Sequence, residues 1–91
     1  MTLNEYQKLA SRTSNPNLTN QGLIENGVMG LCGEAGECID IVKKAMFQGH
    51  ALDREKLIDE LGDTLWYAAQ LATGLGVTLE AVAQHNVDKR S

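Results

Sequence analysis

The chain has 91 residues, of which 43% are hydrophobic, and its net charge of −4 comes from 12 acidic and 8 basic residues. This length suits a single domain over residues 1–91, and a core this small favours completion by oligomerisation. An acidic chain without a basic run lacks the electrostatic footprint of a nucleic-acid-binding protein, which argues against polymeric DNA or RNA as a ligand.

The sequence also argues against a membrane or an oxidising compartment. The longest uncharged run, residues 64–79, is shorter than a membrane span, and polar residues stand near the N-terminus where a signal peptide is apolar. Cys32 and Cys38 have neither a zinc spacing nor a disulfide framework, so we expect them to be small buried hydrophobes. We therefore expect a cytoplasmic protein.

The first predicted helix runs from about Thr2 to Thr13, because Leu3, Tyr6, Leu9 and Ala10 recur at spacings of three and four. The turn formers that follow include Pro16, which disfavours helix at the preceding residue. The first helix must therefore end before this polar loop.

The second predicted helix runs from about Asn20 to Phe47. One broad apolar face is the expected core face, and it carries Val28, Leu31, Cys32, Ala35, Cys38, Ile39, Val42, Ala45 and Met46. A neighbouring strip carries Glu34, Glu37, Ile41 and Lys44.

Four glycines interrupt this helix, and each costs roughly 1 kcal/mol relative to alanine in a helix interior. They are Gly27, Gly30, Gly33 and Gly36. Glycine permits close approach of a second backbone or of a bulky ligand, and the sequence leaves both explanations open.

A third helix is predicted from about Arg54 to Leu75, with Gly49 ending the second helix and Asp53 capping the third. The short connection implies antiparallel neighbours. The expected core stripe of the third helix is Leu57, Leu61, Leu65, Ala68, Leu71 or Ala72, and Leu75. A fourth helix follows, with Thr78 as its cap and Leu79, Val82 and Ala83 turned inward.

Two acidic pairs stand out in these helices. Glu34 and Glu37 are three residues apart, as are Glu60 and Asp63, so each pair lies on one helix face. If the two helices are antiparallel neighbours, four carboxylates come together and repel one another unless a cation compensates. Oxygen ligands without histidine or thiol favour Mg²⁺, with Mn²⁺ as a possible substitute.

Two other interpretations of the acids exist. Acids three apart on a helix are commonly a solvated face, although the second pair on a neighbouring helix makes that less convincing. A di-iron carboxylate bundle would need Glu-x-x-His pairs. Neither His50 nor His85 follows a glutamate at that distance.

The segments around these acids carry a resemblance to a known family. They are residues 30–37 (GLCGEAGE), 42–44 (VKK) and 59–67 (DELGDTLWY), with further matches at residues 4–7, 12–13 and 86–89. The chain resembles the MazG-like branch of the all-α nucleoside triphosphate pyrophosphohydrolases over nearly its whole length.

The resemblance implies four antiparallel helices in a homodimer or homotetramer. It implies hydrolysis of NTPs or dNTPs between the α- and β-phosphates, giving a nucleoside monophosphate and pyrophosphate, in house-cleaning or nucleotide-pool control. Mg²⁺ would be held by four catalytic acids, Glu34, Glu37, Glu60 and Asp63, one of which orients the attacking water. Carried over by position, the residues that meet phosphate, sugar or base are Lys44, Tyr67, Asn86 and Lys89.

Two hypotheses of other classes stand beside this one. The chain could be a non-catalytic helical dimerisation module that binds nucleotide or metal, or a purely structural bundle. Lys44 fits an ordinary helix-end lysine as well as a phosphate ligand, because a cation there is favourable to the helix dipole. Tyr67, four residues after Asp63 on the same face, favours a ligand contact over simple packing.

Overall fold

The computed structural model describes residues 1–91 and contains four α-helices and no strand. They are α1 (Leu3–Ser11), α2 (Asn20–Phe47), α3 (Arg54–Gly74) and α4 (Leu79–Arg90). The helices α2 and α3 form a long antiparallel hairpin, while α1 and α4 pack on α3 and on each other. The all-α class and the order of the helices are confirmed, and no helix is both long and apolar enough to cross a membrane.

The helix ends follow local capping chemistry. Asp53 and Thr78 cap α3 and α4 by accepting backbone N–H groups of Lys56 and Ala81, as predicted. The first helix is shorter than expected, because Thr2 is its extended N-cap and its side chain accepts the N–H of Glu5. Gly49, with φ of +70°, turns the chain after α2 in the left-handed conformation that glycine tolerates best.

The hairpin helices approach closely at glycines. A Cβ atom on Gly27 would lie 3.0 Å from the backbone of Leu71, and one on Gly30 would overlap the Tyr67 ring. Gly33 and Gly36 differ, because an added Cβ atom would meet nothing within 4 Å. Close helix packing therefore accounts for the first two glycines and does not account for the other two.

The faces on which the hairpin helices pack differ from the predicted core faces. The α2 residues buried against α3 are Gly27 and Ile41, whereas Val28 and Val42, one position later, are exposed. On α3, Leu61 and Leu65 are likewise exposed, and Leu57 and Tyr67 are partly covered. The predicted inward faces were wrong over most of the hairpin, because the apolar stripe lies about 100°, one residue, away from the face that packs. Ala72, near the end of α3, is buried as predicted.

These exposed side chains lie on one side of the hairpin. On each helix these side chains come one residue after the packed face, and on two antiparallel helices that step leads to the same side of the hairpin. We call this surface the apolar face, and its members are Val28, Ile39, Val42 and Met46 of α2 with Ile58, Leu61 and Leu65 of α3. Cys32 is also exposed, which corrects its expected burial, and Cys38 is half-buried.

The buried core lies on the other side of α3, beneath α1 and the start of α4. Ala10, Ala69, Ala72 and Leu79 form it, with Tyr6 and Trp66 packed against them. Only Leu79 of the predicted inward residues of α4 is buried, since Val82 and Ala83 are exposed. No large side chain is fully buried, so this core is small for a domain of this length.

Alanine substitutions separate the two kinds of glycine. We expect Gly30→Ala to lower the melting temperature, because its Cβ atom forces the Tyr67 ring to move. Gly36→Ala should raise unfolding free energy by roughly 0.5–1 kcal/mol, because it improves helix propensity without a clash. Thermal unfolding measures the melting temperature and urea unfolding measures the free energy of unfolding. Destabilisation by Gly36→Ala would contradict the open space around Gly36.

Candidate metal centre

Three carboxylates meet between the middle of α2 and the first half of α3. Glu34, Glu60 and Asp63 each offer a carboxylate oxygen, and these oxygens all lie within 4.8 Å of one another. Glu34 and Glu60 are half-buried, while Asp63 is exposed. This acidic cluster has one side against protein and the other open to solvent.

The packing of the hairpin places the acids together. Glu34 lies on the same side of α2 as Gly27 and Ile41, which pack against α3, and Glu60 lies one turn before Thr64 on the packed side of α3. The strip that the sequence predicts beside the core is thus the strip that the two helices share. Because the helices are aligned in this way, Glu34 of α2 faces Glu60 and Asp63 of α3.

The electrostatics of the cluster show that the carboxylates are crowded. The pKa of Glu60 is raised, chiefly by a side-chain hydrogen bond with Glu34, then by burial and by the negative charges of Glu34 and Asp63. The charge of Lys56 acts in the opposite direction and lowers it. The crowding of these carboxylates therefore disfavours the charged form of Glu60.

This donor set fits a hard divalent cation. It consists of carboxylate oxygens alone, with no histidine or thiol, as Mg²⁺ and Mn²⁺ prefer. A cation would also compensate the like charges of these carboxylates. Mg²⁺ binds to few carboxylates and keeps other positions for water and substrate phosphates, so three facing acids are sufficient.

The fourth predicted acid lies outside this group. Glu37 is one turn beyond Glu34 on α2 and is exposed. Glu37 comes one residue before the half-buried Cys38, and Asp63 comes one residue before the half-buried Thr64. The apolar face comes one residue after the packed positions, so both acids point to the opposite side of the hairpin. The structure thus assembles three of the four acids and leaves Glu37 on the open edge beside them.

The predicted substrate residues have different surroundings. Tyr67 is half-buried against Gly30, and its ring meets Trp66 edge-on at a centroid distance of 5.0 Å. Lys44 is exposed and lines a cavity beside the hairpin turn. Asn86 and Lys89 are exposed on α4, which contacts α1 and α3 and not α2, so the single chain does not bring them to Glu34.

Two hydrogen bonds between distant segments were not expected from the sequence. The buried Gln70 accepts a 2.7 Å hydrogen bond from Asn26 across the hairpin, and Trp66 donates one of 2.8 Å to Thr13 in the loop after α1. These contacts join sequence-distant residues, so no local pattern reveals them. Lys56 was also missed, although its position four residues before Glu60 gave a signal.

Comparison with known proteins gives the family. The family model described as the MazG nucleotide pyrophosphohydrolase domain matches residues 24–91. Gene 37 protein of Mycobacterium phage L5 is 46% identical over 65 residues, which cover 67% of this chain and 57% of that protein. No solved structure matches the chain. The family match includes most of α2, all of α3 and the acidic cluster between them, and the chain therefore belongs to the MazG nucleotide pyrophosphohydrolase domain family.

Proposed function

We propose that this chain hydrolyses nucleoside or deoxynucleoside triphosphates between the α- and β-phosphates in the presence of Mg²⁺. The observation that carries the proposal is the acidic cluster of Glu34, Glu60 and Asp63 inside a domain of the MazG family. Its carboxylates would hold the cation. Bound Mg²⁺ supplies charge that polarises a phosphoryl group and lowers the pKa of coordinated water.

The reaction requires one water and no other co-reactant. The water oxygen forms a bond to the α-phosphorus, and the bond from that phosphorus to the oxygen bridging to the β-phosphorus breaks. Pyrophosphate leaves with the electron pair, and the water proton passes to a base. Glu37, exposed on the open edge and outside the acidic cluster, is the acid that we assign to orienting this water.

Product identity tests the proposal. A panel of ribo- and deoxyribonucleoside triphosphates is incubated with Mg²⁺, or with Mn²⁺ in its place, and the products are resolved by ion-exchange chromatography. We expect equal amounts of nucleoside monophosphate and pyrophosphate from at least one nucleotide. Release of orthophosphate would contradict the assigned bond cleavage, and tight nucleotide binding without turnover would favour the non-catalytic module.

We also propose that the working form is a homo-oligomer in which a second copy covers the apolar face. Its side chains are between 37% and 66% exposed, although they carry much of the hydrophobic volume of the two longest helices. Exposed apolar surfaces of this extent mark interaction sites. Apolar side chains on the same side of both helices fit an identical surface on a second chain related by a two-fold axis.

A further inference from the structure

We propose that Gln7 is the positioning residue of α4. Its side chain locks the turn between α3 and α4, so that α4 keeps one direction relative to α3 and does not close as a lid over its own hairpin. This role belongs to α1, which lies outside the residues that the family model matches, and it does not depend on the proposed reaction.

The chain between α3 and α4 does not by itself fix the direction of α4. The backbone N–H groups of Gly76 and Val77 close the end of α3 through 3.0 Å hydrogen bonds to the carbonyl oxygens of Thr73 and Ala72. No backbone hydrogen bond joins α4 to another helix. Leu79 is the one buried residue of α4, so most of this helix has no packing of its own to hold it in place.

The Gln7 side chain makes three hydrogen bonds across this turn. Its Nε2 donates to Thr73 Oγ1 at 3.1 Å and to the Val77 carbonyl oxygen at 3.0 Å, and its Oε1 accepts the Leu79 backbone N–H at 2.7 Å. Because the Val77 carbonyl needs a donor and the Leu79 N–H needs an acceptor, the orientation of the amide is fixed. One side chain of α1 therefore joins the last turn of α3 to the first residue of α4.

The bond to Leu79 supplies what α4 itself cannot. The first N–H groups of an α-helix have no partner within the helix. The Thr78 side chain accepts the N–H of Ala81 at 3.0 Å, and the N–H of the exposed Glu80 has no protein partner. Leu79 is buried, so its N–H would be costly to leave without an acceptor. Gln7 thus meets the one orphaned N–H group that water does not readily reach.

The helix that carries Gln7 is itself anchored to α3. Ala10 of α1 is buried in the core with Ala69 and Ala72 of α3. Directly after α1, Thr13 accepts the 2.8 Å hydrogen bond from the Trp66 indole. Because α1 is fixed to α3 by these contacts, Gln7 transmits the position of α3 to α4.

The locked direction keeps α4 away from the acidic cluster. Asn4, also on α1, donates a 2.9 Å hydrogen bond to Glu80 Oε2 and holds the first turn of α4 on the same side. In this position α4 contacts α1 and α3 and not α2. A locked α4 therefore cannot carry Asn86 and Lys89 to Glu34 of its own chain, and their use in catalysis would require a neighbouring chain.

Nuclear magnetic resonance of the full chain tests the lock. We expect the Leu79 amide of the wild type to exchange its hydrogen with solvent at least about tenfold more slowly than the Glu80 amide, because only the first is hydrogen-bonded. Gln7→Met keeps the length of the side chain, loses all three hydrogen bonds and should remove this protection. Residual dipolar couplings of α3 and α4 should fit one common orientation in the wild type. In Gln7→Met those of α4 should shrink, because its direction is then averaged by motion.

Two further variants serve as controls. Gln7→Glu keeps an acceptor for the Leu79 N–H and loses both donors, so it should retain the protection of Leu79. Gln21→Met makes the same change as Gln7→Met at an exposed glutamine of α2, whose side chain bonds only to Glu25, and should alter neither measurement.

Three results would overturn the inference. They are rapid exchange of the wild-type Leu79 amide, equal protection of that amide in the wild type and Gln7→Met, and α4 couplings that are the same in both. A wild-type α4 whose couplings change on addition of Mg²⁺ and nucleotide would also overturn it, because α4 would then move as a lid. None of these measurements requires turnover, so they decide the role of Gln7 whether or not the chain releases pyrophosphate.

Discussion

Glu60→Gln is expected to reduce pyrophosphate release from nucleoside triphosphates by at least about 100-fold, the scale of losing a metal-site or charge-stabilising group. Glutamine keeps the shape of the side chain and removes the negative charge. Glu60 is central to the acidic cluster, because its pKa is raised by a hydrogen bond and charge from Glu34 and by the charge of Asp63. Its loss leaves two of the three clustered carboxylates to hold the cation.

A readout independent of turnover accompanies this measurement. Mg²⁺ should raise the melting temperature of the wild type, because a ligand that binds only the folded state stabilises it. The rise should largely disappear in Glu60→Gln. Without Mg²⁺ the variant should melt no lower than the wild type, since it removes the like-charge repulsion within the cluster.

Glu25→Gln is the matched control, because Glu25 is an exposed glutamate of α2 outside the acidic cluster. It should keep both the activity and the thermal response to Mg²⁺. A Glu60→Gln variant that retains wild-type pyrophosphate release would contradict the proposed metal centre, whichever nucleotide proves to be the substrate.

The second large effect is expected on the apolar face. Leu65→Glu places a carboxylate on the apolar face, and its burial against a second copy would leave an unpaired charge in an apolar interface. We expect association to weaken by at least about 100-fold, or roughly 3 kcal/mol. Light scattering should then give the mass of one chain for the variant, and of two or four chains for the wild type.

The control for this substitution is Leu9→Glu, which adds the same charge at an exposed leucine of α1 outside the apolar face. It should leave the oligomeric mass unchanged. A wild-type protein that is monomeric at all concentrations, or a Leu65→Glu variant with the wild-type mass, would show that the face is not covered by a second copy.

Leu65→Glu also tests the link between assembly and activity. The acidic cluster is formed within one chain, but Asn86 and Lys89 are not brought to α2 by that chain. If a second copy supplies them, the monomeric variant loses activity while its Mg²⁺-binding residues remain intact. An active monomer would remove Asn86 and Lys89 of a neighbouring chain from the substrate site.

Much of the local structure was determined by short-range patterns in the sequence. The bounds of α2, the Asp53 and Thr78 caps, and the spacing of both acidic pairs were all predicted, because helix periodicity and capping depend on residues within a few positions of one another. The family resemblance was likewise carried by contiguous segments, and the match over residues 24–91 confirms it.

The tertiary structure alone decided which faces of these helices meet. Periodicity identified an apolar stripe on α2, yet the hairpin packs through Gly27 and Ile41 and turns Val28 and Val42 outward. An apolar stripe indicates a surface whose burial is favourable. It does not distinguish burial within one chain from burial against another chain. Gly27 and Gly30 allow α2 and α3 to approach closely before the acids, and the register fixed by that packing brings Glu34 to Glu60 and Asp63.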